Sequence, residues 1–431
     1  MRLRELARSP EGRIFLCILA AAPFLLTPWV HGDGIGYVAY LHSAIVDLDL
    51  DLANELEYLS THVAVDAGGL PGLLLDRSNH TPGVDPHYHT PPPDPVTGRV
   101  PSNFSTGPSI AWAPAYLSVH AAVKAGRSIG LSHRDDGYGG AYYLAIALTS
   151  LACGIVGLLF AYKMAHTLTP SREAFWATLA IAAASPLLYY LYLAPSYGHA
   201  ITALTAGAFF LYWRQSRRAP SAVTWFHWGL LAGLLFLVRW NDVVLAVPVF
   251  VVEAARLLRQ GTKPNETAGQ DAQSIRWTRV WQLTGHVGAV LAGRGGAALA
   301  GFMLVSLPQF CVWQYLHGRP WVRHSVETLQ FSPEGLWGTL FSARHGLFIW
   351  TPITLLAVIG LFLLWRRDAE LAGVSIAALG LLVLSNCIVH DWWAGASFGM
   401  RRMVSATPLF VLGLTVLFDD LRVASRRSHD L

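Results

Sequence analysis

The sequence predicts an all-α polytopic membrane protein, and three observations support this prediction. Of the 431 residues, 53% are hydrophobic and 13% are charged, and the mean hydropathy is +0.40. Apolar segments long enough to cross a bilayer recur along the chain. Arginines gather near the ends of these segments, as the positive-inside rule describes. A soluble protein of this size carries more charge, and arginines placed in this way are not a nucleic-acid-binding surface.

The apolar segments predict a helical bundle of about 10–11 transmembrane helices. They lie at 14–30, 141–161, 174–193, 197–212, 222–238, 241–256, 297–317, 346–364, 371–389 and 403–419. The stretch 109–124 is marginal in length and contains Pro114. The basic turns at 213–218, 365–367 and 422–427 all face the cytoplasm only if 109–124 does not fully cross. We therefore predict full spans at the positions above and a surface or re-entrant helix at 109–124.

Charge and hydropathy divide the chain into six parts. These are 1–30, the cytoplasmic N-terminus and first span; 31–140, an outer loop with interfacial helices; 141–256, the spans of a catalytic module; 257–296, a cytoplasmic insert; 297–420, the C-terminal spans and outer loops; and 421–431, a basic cytoplasmic tail. Arginines precede the first span, which places the N-terminus in the cytoplasm. We expect a multi-pass protein of the inner (plasma) membrane whose first loop faces the periplasm or exterior.

Asp33 stands where the first span ends and water begins. Gly32 and Gly34 flank it and allow a sharp turn with room for a bulky ligand. From Tyr37 onward, apolar residues recur at helical spacing on one face, which predicts a helix lying on the membrane surface. The position suits a catalytic carboxylate. The alternative is that Asp33 only caps the helix.

A second acidic residue is needed if two carboxylates share the chemistry. Its candidates are Asp47, Asp49, Asp51, Glu55 and Asp242, of which we take Glu55 as the second catalytic residue. The alternation of the three loop aspartates resembles a calcium loop, but Leu52 stands where such a loop requires glycine.

A divalent metal is a possible cofactor, although the sequence establishes none. His80, His87 and His89 crowd together in the outer loop and are the candidate ligands. The four cysteines are scattered singly in apolar segments, so a thiolate metal site or a disulfide framework is not expected.

The predicted topology brings the turns that are not basic to the outer face, together with Asp33. These turns carry most of the candidate substrate-binding residues, and the interfacial helix adds Tyr37. The candidates in the turns are His199, Arg239, Asp242, Arg344, His345, Trp393 and Arg401. Charged residues at span ends are often only anchors. Together, however, they supply a carboxylate base and arginines facing an anion, which transfer from a phosphate ester requires.

Several stretches resemble the bacterial GT-C fold membrane glycosyltransferases, the group related to protein O-mannosyltransferases. They lie at 32–37, 47–55, 104–108, 228–239, 344–352 and 393–401, in the expected order through most of the chain. Members of that group carry an acidic residue just after the first span, which is the position of Asp33. The chain departs from the pattern because its second acidic residue is not obvious, and because no large soluble domain follows the last span, which disfavours a folded protein acceptor.

The resemblance implies a GT-C-like bundle and an inverting hexosyl- or pentosyltransferase. Such enzymes take a sugar from a polyprenyl-phosphate carrier whose tail lies among the spans and whose phosphate sits at the outer interface. Asp33 would deprotonate the acceptor hydroxyl, and Arg239, Arg344 and Arg401 would face the phosphate. The acceptor is a glycan, a lipid or a protein hydroxyl, and the site forms next to membrane lipid.

A transporter or a flippase for lipid-linked sugars is the alternative, because it would share the hydropathy and the interfacial helix. Such folds usually contain internal repeats with paired broken helices, and the two halves of this sequence show no convincing similarity to each other. Charge is also scarce inside the predicted spans, which disfavours an ion-coupled pathway.

Overall fold

The computed structural model describes residues 7–62, 90–130, 134–261, 275–321, 332–395 and 397–429. Throughout these residues the regular elements are helices and none is a β-strand, which confirms the all-α prediction. The candidate metal ligands His80, His87 and His89 lie outside the described residues.

The helices are numbered here in chain order. They are α1 Pro10–Leu25, α2 Asp33–His42, α3 Ala53–Thr61, α4 Gly107–Ser128, α5 Gly140–His166, α6 Ser171–Ala184, α7 Leu187–Tyr192, α8 His199–Ser216, α9 Ala222–Val238, α10 Val247–Gly261, α11 Ile275–His317, α12 Pro333–Phe341, α13 Leu347–Trp350, α14 Pro352–Leu364, α15 Ala369–Cys387 and α16 Thr407–His429. Short 3₁₀ turns at Pro195–Tyr197, Trp240–Ala246 and Arg401–Ala406 precede α8, α10 and α16, and a π-helical turn, Ser43–Asp47, extends α2.

Four helical stretches of the described chain are long and apolar enough to cross a membrane. They are Gly140–His166, Ala292–His317, Ala369–Cys387 and Arg401–Ser428. Each overlaps a span predicted from hydropathy, so the prediction of a polytopic membrane protein is confirmed. The apolar helices Ala222–Val238 and Pro352–Leu364 are shorter.

Two predicted spans are interrupted by proline. The segment 174–193 is divided into α6 and α7, with Pro186 at the break. The segment 346–364 is divided into α13 and α14, because Pro352 begins a new helix. Proline has no backbone N–H to donate and its ring clashes with the preceding turn, whereas hydropathy is insensitive to both effects.

Two other segments are longer helices than the sequence suggested. The marginal stretch 109–124 belongs to the continuous α4, in which Pro114 is accommodated seven residues after the start. Its placement as a surface or re-entrant helix stays a prediction. Helix α11 begins at Ile275, inside the predicted insert 257–296, and continues to His317.

Glycines allow the helix backbones to approach closely. A Cβ atom added to Gly360 of α14 would lie 1.8 Å from the carbonyl oxygen of Gly413 in α16, and one added to Gly413 would lie 2.1 Å from the carbonyl oxygen of Ala357. Small residues at such crossings permit the van der Waals contact that holds helices together in a bilayer.

We expect Gly360→Ala to destabilise the protein by about 1–3 kcal/mol, because the methyl group overlaps backbone that cannot rotate away. Gly380→Ala in α15 is the control, since a Cβ there meets nothing within 4 Å. The measurement is the thermal unfolding midpoint of both variants in the same detergent. Equal midpoints for the two variants would show that the α14–α16 crossing is not tightly packed.

The two ends of the bundle differ in chemistry. At one end, Arg217 after α8 pairs with Asp368 and Glu370 at the start of α15, and Arg256 of α10 pairs with Glu253 and Glu370. Helices α8 and α15 run in opposite directions between this network and the other end. The first residue of α8 and the loop after α15 therefore meet away from the network, where the candidate site lies.

Candidate functional site

Helix α2 starts in a tight backbone turn against the 3₁₀ turn Pro195–Tyr197. Gly32 has φ +52°, and a Cβ there would lie 2.1 Å from Tyr197 Oη. Gly34 approaches Ser196 in the same way, since an added Cβ would lie 2.4 Å from Ser196 Oγ. Both glycines are therefore required by the close approach of the Tyr197 and Ser196 side chains.

Asp33 does not cap α2. The N-cap residue is Gly32, which offers no side-chain cap, and Asp33 is the first helical residue. The Asp33 carboxylate accepts a hydrogen bond and forms an ion pair with Arg401, 368 residues along the chain. The carboxylate keeps 31% of its side-chain surface exposed, whereas Arg401 keeps 12%. One carboxylate is thus held at the surface by a mostly buried guanidinium.

Arg401 is fixed by further contacts. Its Nε donates to the carbonyl oxygen of Ala394 at 2.8 Å, and its guanidinium carbon lies 5.6 Å from the centre of the Tyr197 ring. Ala394 has φ +63°, a conformation that a non-glycine residue adopts only at some cost. The strained turn aims its carbonyl at the arginine, and the arginine in turn stays directed at Asp33.

Tyr37 lies one turn further along α2, among the charges of the site. Its side chain is buried and packs edge-on against Phe104 at 5.1 Å between ring centres. Burial and then the negative charge of Asp33 raise the pKa of Tyr37, while Arg239 and Arg401 act in the opposite direction. The phenol is neutral near pH 7 and can donate or accept a hydrogen bond.

His199 opens α8 and contacts Arg239, which follows α9. Arg239 Nη1 lies 3.1 Å from His199 Nδ1. Because a guanidinium only donates, Nδ1 is the acceptor and the imidazole proton is on Nε2. His199 Nε2 is buried and has no hydrogen-bond partner in the described part of the chain. A buried donor without a partner is costly, and a ligand oxygen would satisfy it.

Asp242 follows Arg239 in the 3₁₀ turn Trp240–Ala246. Its Oδ1 accepts a hydrogen bond from Ser405 Oγ at 3.0 Å, and its Oδ2 is buried without a partner in the described residues. Ser405 belongs to the 3₁₀ turn that begins at Arg401. Asp242 is therefore joined to the same short turn that carries the partner of Asp33.

Arg344, His345 and Trp393 form an adjoining layer. His345 Nδ1 donates to the carbonyl oxygen of Trp393 at 2.8 Å, and the Arg344 guanidinium lies 4.2 Å from the centre of the Trp393 ring. Trp393 directly precedes Ala394, whose carbonyl binds Arg401. These three residues therefore brace the loop that orients the ion pair.

Glu55 lies in a different cluster from Asp33. Its Oε1 is 3.2 Å from His42 Nδ1, and Asp47 Oδ2 is 3.6 Å from the same nitrogen. Asp33 begins α2 and His42 ends it. At 1.5 Å per residue, Asp33 and His42 are therefore about 13.5 Å apart along the helix axis. The expectation that Glu55 stands beside Asp33 as a second catalytic carboxylate finds no contact to support it. Asp242, by contrast, accepts a hydrogen bond from the 3₁₀ turn that begins at Arg401.

Sequence reasoning did not select Tyr190 and Tyr197. Tyr190 donates to the carbonyl oxygen of Phe398 at 3.1 Å and lies 4.3 Å from the His199 ring centre. Tyr197 borders both Gly32 and Arg401. Tyr190 falls inside an apolar segment and carries no local sequence signal. Tyr197 lies two residues before His199, in the same predicted outer turn, and this position is the signal that could have identified it.

No protein-family model and no curated protein matches the chain. Among solved structures, the chain is similar to the oligosaccharyltransferase of Archaeoglobus fulgidus in its complex with zinc and sulfate. The TM-score is 0.45 and the sequence identity is 13%, over 96% of this chain and 50% of that one. The chain thus spans about half the length of the archaeal structure.

Proposed function

We propose that the protein is a membrane glycosyltransferase that moves a sugar from a polyprenyl-phosphate carrier to an acceptor hydroxyl at the outer face of the membrane, with inversion. The observation that carries this proposal is the Asp33–Arg401 ion pair, in which a partly exposed carboxylate meets a mostly buried guanidinium. The residues around the pair combine a base with cationic groups that suit a phosphate ester.

Asp33 serves as the general base in this mechanism. It takes the proton of the acceptor hydroxyl while that oxygen attacks the anomeric carbon from the side opposite the phosphate. The bond between the anomeric carbon and the phosphate oxygen breaks, and polyprenyl phosphate leaves with the electron pair. Positioned base catalysis of this kind contributes about 10²- to 10⁴-fold to the rate.

Arg401, Arg239 and His199 bind the phosphate. Arginine provides directed hydrogen bonds that match phosphate oxygens, and the unpartnered Nε2 of His199 adds a neutral donor. The leaving phosphate gains negative charge, which fixed donors in a water-poor site stabilise. When a phosphate attracts Arg401, the carboxylate of Asp33 is released from this ion pair and becomes available to the acceptor hydroxyl.

Asp242 and Tyr37 position the donor and the acceptor, while Arg344, His345 and Trp393 support the loop that orients Arg401. The donor tail contacts membrane lipid, and the acceptor is a glycan, lipid or protein hydroxyl. Glu55 has no part in this chemistry.

The proposal is tested with membranes that contain the protein and polyprenyl phosphates carrying a radiolabelled hexose or pentose. We expect label to leave the carrier for an acceptor and free polyprenyl phosphate to appear. A transporter or flippase would leave the bond between sugar and phosphate intact. An unbroken bond with every hexose and pentose donor, in membranes that contain the natural acceptors, would refute the proposal.

A further inference from the structure

We propose that His42, Asp47 and Glu55 form a binding site for one divalent transition-metal ion, for which zinc is the best-matched example. The site joins the end of α2 to the start of α3 and is separate from the Asp33–Arg401 pair. It does not depend on the proposed transfer reaction.

The three side chains already have the spacing of a metal coordination sphere. Their ligand atoms all lie within 4.8 Å of one another, and the two distances from His42 Nδ1 are 3.2 Å to Glu55 and 3.6 Å to Asp47. Bond lengths of about 2.0–2.2 Å to a tetrahedral ion place neighbouring ligand atoms roughly 3.4 Å apart. An ion therefore fits between these atoms with little rearrangement.

The partners of His42 favour ligation through Nδ1. Its Nε2 donates to the backbone carbonyl of Asp136 at 2.7 Å, which leaves the Nδ1 lone pair of the neutral ring directed at the two carboxylates. A metal-bound histidine usually donates its other N–H to a carbonyl or carboxylate in this way. Gly137 permits the close packing, because a Cβ there would lie 2.6 Å from His42 Cδ2.

Glu55 provides the second, independent observation. It is fully buried, and its Oε2 has no hydrogen-bond partner in the described residues. A buried carboxylate oxygen without a partner is unfavourable. Asp47 is held in place by Asn54 Nδ2 at 2.8 Å. Two carboxylates and a neutral imidazole carry a charge that a divalent cation balances, and the mixture of nitrogen and oxygen ligands favours zinc over calcium or magnesium.

The contrasting arrangement is a protonated His42 paired with Glu55, without metal. Both arrangements hold α2 against α3, but they differ in what the protein binds. A metal adds three coordinate bonds and makes the local fold dependent on zinc, whereas the ion pair makes it independent of zinc.

The test uses the full-length protein in detergent, stripped of metal with a chelator and then titrated with zinc chloride against a competing fluorescent zinc indicator. We expect one tightly bound zinc per chain and a higher unfolding midpoint once zinc is added. Glu55→Gln and Asp47→Asn are each expected to weaken zinc affinity by at least about tenfold, since either change removes a charged ligand.

Glu57→Gln is the matched control, because Glu57 is exposed on the same helix and its replacement is the same chemical change as Glu55→Gln. It is expected to bind zinc as the wild type does. Zinc binding that survives in both the Glu55 and Asp47 variants, or a wild-type protein that binds no zinc, would overturn the proposal. The readouts are the amount of zinc bound per chain and the unfolding midpoint of the protein. Neither depends on sugar transfer, so failure of the proposed transfer reaction would leave this test unaffected.

Discussion

Replacing Asp33 by Asn is expected to lower sugar transfer by about 10²- to 10⁴-fold, the usual contribution of a positioned general base. Asparagine keeps the shape of the side chain but cannot take the acceptor proton. The measurement is release of labelled sugar from polyprenyl phosphate under single-turnover conditions, so that slow product release does not mask the chemical step.

Asp135→Asn is the control for this variant. Asp135 also pairs with an arginine, Arg127, and is also 31% exposed at its side chain, but it lies in the loop between α4 and α5. We expect its activity to match the wild type. Transfer at wild-type rates by a folded Asp33→Asn protein would remove the base from the mechanism.

Arg401→Gln is the second variant with a large expected effect, a loss of about 10²- to 10³-fold, comparable to removing one donor that stabilises a developing charge. The loss should appear in the transfer rate more than in stability. Asp33 is partly exposed, so water can solvate the carboxylate that remains without its partner. In Asp33→Asn, by contrast, the mostly buried Arg401 guanidinium keeps its charge but loses the carboxylate that balances it, which costs more stability.

Arg366→Gln is the control for the loss of one arginine charge, since Arg366 is exposed at the basic turn after α14. The reversed pair, Asp33→Arg with Arg401→Asp, separates structure from chemistry. It restores an ion pair between the same two positions but puts the carboxylate on the wrong side of the site. We expect it to unfold at a higher temperature than Asp33→Asn and to remain inactive. Activity in the reversed pair would mean that the pair serves only to hold the fold.

Hydropathy and charge predicted the helical membrane class and the positions of the four helical stretches of the described chain that are long and apolar enough to cross a membrane. They could not predict that helices end at Pro186 and Pro352, because proline also occurs inside transmembrane helices that are only kinked. They also could not show that Pro114 sits inside one continuous helix. Whether proline ends a helix or bends it depends on the neighbouring helices that satisfy the freed carbonyl groups.

The meeting of Asp33 with Arg401 was foreseen only at the level of topology. Because the predicted topology placed both residues in outer turns, a contact between them was possible. It did not predict that Asp33 would pair with Arg401 and not with Arg239 or Arg344. That choice depends on the strained turn at Ala394, which sets the direction of the guanidinium. Arg344 instead stacks on Trp393.

Glu55 shows why the sequence alone does not place a carboxylate in one cluster or another. It lies in a loop dense with acids, so the sequence offered several candidates of equal standing. The π-helical turn Ser43–Asp47 extends α2 with i→i+5 spacing, and Asp47, five residues after His42, has its Oδ2 3.6 Å from His42 Nδ1. Such a turn has no reliable sequence signature, and His42 itself appears as one polar residue on an apolar stripe.

The long sequence separation between Asp33 and Arg401 has a consequence for biogenesis. The acid emerges shortly after α1, whereas its cation is synthesised only when the ribosome has translated 368 further residues. During that interval the carboxylate lacks this cation, and the proposed phosphate site lacks Arg401. Under the proposed function, a half-inserted nascent chain therefore has an incomplete site, and transfer becomes possible only once Arg401 has docked against Asp33.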